Sequence, residues 1–105
     1  MKILEFKTIS PFYELCRDGK KPFDIRLRDA KDKRFRALSQ IRFINNPGWA
    51  IRFVNPATGE SFARMLQNWD YLKDQRSYCI KPAWVIMYLG DLVEDNGLSV
   101  NTPTR

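Results

Sequence analysis

From Phe23 to Arg28 the chain alternates strictly between apolar and charged side chains. Phe23, Ile25 and Leu27 fall on one side, and Asp24, Arg26 and Arg28 on the other. A period of two belongs to a half-buried strand, not to a helix. The expectation is a rigid strand that buries Phe23, Ile25 and Leu27 and holds the three charges as a row in fixed geometry. Gly19, Lys20, Lys21 and Pro22 lead into it as a tight, basic approach. Such a row either aims cations at an anionic ligand or is a solvated strand face.

The distribution of charge favours an anionic ligand. The 105 residues include 18 Lys and Arg against 12 Asp and Glu, a net charge of +6, with a pI of about 9.6. Residues 17 to 36 hold nine of the cations and four of the acids, an excess of five. Concentrated positive charge releases counterions on meeting a polyanion and speeds the encounter. Histidine is absent, which excludes Ser-His-Asp and Cys-His nucleophile systems and histidine metal ligation. Cys16 and Cys79 are too few for a zinc site without histidine. No metal and no cofactor is expected. No apolar run approaches the ~20 residues that cross a bilayer, and Met1 to Lys7 lack a signal-like apolar core. The expectation is a cytoplasmic protein with reduced thiols and no membrane partner.

Length suits one domain, expected over residues 1–93 with a polar tail over 94–105. Lys2 to Lys7 reads as a first strand. Ser10-Pro11 reads as a helix start, with a hydroxyl cap and a proline at the first helical position. Phe12, Leu15 and Cys16 form its apolar face, and Gly19 its left-handed stop. Ala30 to Leu38 is a charged loop or short helix anchored by Phe35 and Leu38. Gln40 to Ile44 is a strand candidate before the turn Asn45-Asn46-Pro47-Gly48. Trp49 to Asn55 and Glu60 to Gln67 read as a hairpin across Pro56 to Gly59, with Ile51 and Phe53 inward. Asn68 to Gln75 is expected to make one or two helical turns, with Trp69 and Leu72 inward. Ala83 to Leu89 is apolar on both sides and reads as a central strand of a covered sheet. The sum is an α+β fold: a small mixed β-barrel of five or six strands with one main helix, closed so that no edge is exposed. A split sheet with one covering helix is the alternative.

The spacing Gly19-x-Lys21-x-x-Asp24-x-Arg26 resembles the Gly-x-Lys-x-x-Glu-x-Arg signature of ASCH domains, of the PUA-like superfamily. It is closest to the small ASCH-like proteins common in phages and bacteria. The likeness covers about a third of the chain and departs from the signature in having Asp24 for glutamate. It implies a PUA-like barrel whose motif strand borders a cleft. The main expectation is a module that binds nucleic acid, as RNA or as a single-stranded or modified nucleotide, with contacts at Lys20, Lys21, Asp24, Arg26, Arg28, Lys33 and Arg34. Lys31 and Arg36 are further cations in reach of a phosphate backbone. Trp49 and Trp69 are candidate stacking faces, as are Tyr71 and Tyr78, whereas Trp84 is expected in the core. One branch of ASCH proteins hydrolyses acetylcytidine with a lysine-assisted threonine and a distant glutamate. Lys21 matches that lysine, but Asp24 stands where the threonine would be. A carboxylate is a poorer acyl acceptor than an activated hydroxyl, and Glu60, Asp70 and Asp74 compete for the distant acid. Catalysis is therefore the minority expectation. A third reading is a protein that docks onto a host protein.

Overall fold

The computed structural model describes residues 2–29, 31–41, 48–72 and 84–96. In chain order these form β1 (Lys2–Lys7), α1 (Phe12–Arg17), β2 (Phe23–Leu27), α2 (Lys33–Ser39), β3 (Trp49–Val54), β4 (Ser61–Leu72) and β5 (Trp84–Asp95). The strands make one sheet in the order β1-β3-β4-β5-β2. Only β1 and β3 run parallel; the other pairs are antiparallel. The sheet curls into a half-barrel, with β1 and β2 as its two edges.

The concave side carries the core. Leu4 and Phe6 of β1, Ile51 and Phe53 of β3, Phe62 and Leu66 of β4, and Val85, Met87 and Leu89 of β5 are all buried there. Tyr13 and Cys16 of α1 and Phe35 and Leu38 of α2 join the same buried cluster. The Tyr13 ring meets Phe62 edge-on at 5.0 Å, and Phe35 lies 6.0 Å from Phe6. Arg64 of β4 ties α1 to the sheet. It donates to the carbonyls of Cys16 and Arg17 at 2.8 Å each and of Gly90 at 2.7 Å. The first two are helix-end carbonyls that lack an intrahelical partner. Gly19 then turns the chain at φ +78°, and a Cβ there would stand 3.2 Å from the Arg64 Nη2 atom. Glycine is needed both for the left-handed backbone and for the close approach.

Several expectations are corrected. The core face of α1 is Tyr13 and Cys16, while Phe12 is 48% exposed. Ser10 does not cap the helix through its side chain; its hydroxyl donates to Glu14 Oε2 at 2.6 Å. Of the loop or short helix expected over Ala30 to Leu38, the structure shows the helix: Asp32 accepts from the Arg34 N–H and caps α2, while Phe35 and Leu38 anchor it. Gln40 is the C-terminal cap of α2 and Ile41 lies outside any strand; the rest of the Gln40–Ile44 strand and residues 45–47 of its turn lie outside the described residues. Asn68 to Leu72 continue β4 instead of turning into helix, because each finds a cross-strand partner from Tyr88 to Trp84. Leu72 is exposed there, and residues 73–75 of the expected helix lie outside the described residues. β5 likewise runs past Leu89 to Asp95. Glu94, placed in the tail from sequence, accepts from Arg52 Nε at 2.7 Å. Trp84 is 40% exposed on the convex face, not in the core. Closure is incomplete, since β1 and β2 have no strand beside them on their outer edges among the described residues.

Candidate nucleic-acid interface

The largest correction concerns β2. Its alternation is real but its faces are reversed: Asp24 is 4% exposed, whereas Ile25 is 40% and Leu27 63% exposed. Register explains why. Asp24 lies opposite Met87 and Arg26 opposite Val85, so both charges share the concave face with buried core residues. That face of an edge strand looks across the opening of the half-barrel at the backbone of β1, not at an apolar layer. The carbonyls of Glu5 and Lys7 on β1 accept hydrogen bonds there.

Two arginines supply them. Arg26 donates through Nε to Asp24 at 2.7 Å, through Nη1 to the Lys7 carbonyl at 2.8 Å, and through Nη2 to the Thr8 hydroxyl. Arg34 of α2 is clamped by Asp32 and donates through Nη1 to the Glu5 carbonyl at 2.8 Å. Both guanidiniums lie over the Phe6 ring, at 5.0 and 4.3 Å from its centre. The planar fork of arginine suits this double duty of stacking and donating. Arg34 in turn holds the Asp32 carboxyl below its usual range by hydrogen bonding. Beneath them, burial first and the Asp24 charge second push the Cys16 thiol up, which suits an inert core thiol.

The bridging side chains leave open space on both sides. A hollow of about 290 Å³ is lined by Lys7, Thr8, Phe12, Lys21, Asp24 and Arg26, with Ile9 and Ile25 at its rim. A second, of about 380 Å³, is lined by Glu5, Phe6, Lys7, Arg26 and Arg34. They share Lys7 and Arg26 and so form one cleft along the gap between β1 and β2. The Lys21 ammonium sits 4.8 Å from the Phe12 ring centre and 5.5 Å from that of Phe23. Neither Lys7 nor Lys21 pairs with a carboxylate among the described residues. The cleft thus holds two unpaired ammoniums, an exposed aromatic ring, a hydroxyl, and a wall stiffened by bound arginines.

The structure therefore brings Lys21, Asp24, Arg26 and Arg34 of the expected set together. Lys20 and Lys33 are exposed outside the two hollows. Arg28 lies beyond the cleft with its guanidinium 6.0 Å from the Tyr71 ring centre. Trp49 and Trp69 are half-buried against the core and line neither hollow; Trp69 meets Tyr71 edge-on at 5.0 Å. Phe12 takes the place expected for them. Glu60 lies 3.9 Å from Arg17, and Asp70 is exposed, both away from the cleft. Asp74, Tyr78 and Cys79 fall outside the described residues. Lys7 and Thr8 were missed from sequence, because nothing marks the end of a short first strand as the far wall of a cleft. No group of acids and cysteines suited to a metal occurs among the described residues, and no described helix is long and apolar enough to cross a membrane. The chain matches no family model, no curated protein and no solved structure.

Proposed function

We propose that this chain binds nucleic acid, as RNA or as a single strand with unstacked or modified bases, in the cleft between β1 and β2. One observation carries the reading. Lys21, Asp24 and Arg26, close together in sequence, line one open hollow with Lys7, a cation that arrives from the opposite edge of the sheet. The unpaired ammoniums suit phosphate, and the exposed Phe12 ring suits a base, whose stacking is worth roughly 1–3 kcal/mol. A cleft of this volume, with an aromatic ring in its wall, suits an unstacked base better than an intact duplex. The ASCH resemblance points the same way, since its motif residues sit at the cleft. Simple binding is favoured over hydrolysis because the Asp24 carboxylate is held by Arg26 at 2.7 Å, which ties down the group at the position of the family nucleophile.

The test is fluorescence anisotropy with a short single-stranded RNA over a range of salt. Affinity should fall with a slope of roughly 0.7 per neutralised phosphate, and Lys7→Ala and Lys21→Ala should each lower that slope by about one phosphate's worth. Flat salt dependence, or wild-type affinity in both variants, would remove the cleft from consideration. Turnover of acetylcytidine that is lost in Lys21→Ala would replace binding by the hydrolytic reading. Capture of a protein partner that persists after nuclease treatment, with no affinity for RNA, would replace it by protein docking.

A further inference from the structure

Seven arginines lie among the described residues, and five are spoken for. Arg17, Arg26, Arg34 and Arg52 each pair with a carboxylate, and Arg64 is spent on three carbonyls. The two that pair with no carboxylate among the described residues, Arg28 and Arg36, line the same small hollow. It lies between the end of β2, helix α2 and the Tyr71–Val85 pair of β4 and β5. Arg36 and Ser39 are three residues apart on α2 and so share a face. The Arg28 guanidinium stands over Tyr71, and Phe35, Leu38 and Val85 make an apolar floor.

We infer that this hollow binds a single phosphate group through Arg28 and Arg36, and that the group is the terminal phosphomonoester of a nucleic acid held in the cleft. The second half of the inference rests on the function proposed above. Two guanidiniums with no carboxylate partner among the described residues line one space, and arginine forks match phosphate oxygens two at a time. Size sets the kind of phosphate. About 60 Å³ gives room for roughly four to six water-sized positions, comparable with the five heavy atoms of one phosphate. The hollow is also much smaller than either part of the cleft, at about 60 against 290 and 380 Å³, which suits a chain end better than a phosphodiester with chain on both sides. Arg28 follows Arg26 by two residues, just past the end of β2, so the chain carries it at most about 7 Å from the cleft arginine.

The experiment compares one short single-stranded RNA in three forms, with a 5′-phosphate, with a 3′-phosphate, and with neither. Inorganic phosphate is tested alone by calorimetry. One phosphorylated form should bind about ten-fold more tightly than the unphosphorylated one. That preference should vanish in Arg28→Gln and in Arg36→Gln, both checked for an unchanged melting temperature. Lys21→Ala should weaken all three RNAs alike and leave the preference intact. Equal binding of the three RNAs, or a preference that survives both glutamine variants, overturns the terminal-phosphate assignment while leaving the cleft standing. If no RNA binds but inorganic phosphate does, dependent on Arg28 and Arg36, the hollow stands as an oxyanion site and the cleft reading falls. If neither RNA nor phosphate binds, both fall.

Discussion

Arg26→Ala separates the structural from the ligand-facing role of the motif. The guanidinium joins the two edges of the half-barrel through Asp24, the Lys7 carbonyl and Thr8. Its removal leaves the Asp24 side chain, 6% exposed, without its counter-charge. Breaking one side of a buried pair costs about 3–5 kcal/mol. Arg26 itself keeps 25% exposure, so water reaches the site and screening reduces the cost to about 2–3 kcal/mol. At roughly 4–8 °C per kcal/mol for a domain of this size, the melting temperature should fall by about 10–20 °C. Arg26→Lys keeps the charge but loses the fork and should fall between the two. Asp24→Asn with Arg26→Gln should cost less than the sum of the single changes, with a coupling of about 1 kcal/mol or more. Circular-dichroism melts and urea midpoints at constant m-value measure all of these. A loss below about 1 kcal/mol for Arg26→Ala, or strict additivity, would show that the guanidinium does not hold the edges together.

Gly19→Ala should cost about 1–2 kcal/mol for its left-handed backbone, and more than Gly59→Ala, because a Cβ at Gly59 (φ +77°) meets nothing within 4 Å whereas one at Gly19 meets Arg64; urea midpoints compare them. Tyr13 is pushed up from 10.0 to about 12, chiefly by burial and then by the Glu60 charge. Folding disfavours its ionised form, so its contribution to stability is full below pH 10 and is lost as pH rises from 10 towards 12. Tyr13→Phe should flatten that alkaline limb in denaturation at a series of pH values. Glu94 is held below its usual 4.5 by hydrogen bonding from Arg52, so its contribution is present above that value and is lost as pH falls below it. Both side chains are partly exposed, so the effect is at most about 1 kcal/mol, and Arg52→Gln should reduce the acid slope accordingly.

What was legible in the sequence is the strand, not its orientation. Alternation from Phe23 to Leu27 separates two faces, but it does not say which one points inward. The usual assignment, apolar inward, assumes a second apolar layer opposite. β2 is an edge strand facing the backbone of β1, and there the arginine row is the better interior. The apolar residues Ile25 and Leu27 lie outward, opposite Ile86 and Trp84 of β5. Turn chemistry was read well: Gly19 has a positive φ, and Asn55 to Gly59 turn where Pro56 and Gly59 imply. The hairpin register, with Phe53 opposite Phe62, follows. The length of β4 was not legible, since Asn68 and Asp70 are poor strand formers by composition. They stay extended because β5 supplies a partner for each. Of the site, the motif side showed itself through its concentrated charge. The β1 side did not, because Lys7 and Thr8 join it only through tertiary approach.

The most direct test is amide chemical-shift mapping as a short single-stranded RNA is added at low salt. Binding in the cleft predicts the largest changes at Lys7, Thr8, Lys21, Phe23 to Arg28 and Arg34. Changes confined to the convex face around Leu72, Trp84 and Tyr88, with the β1–β2 gap silent, would contradict it.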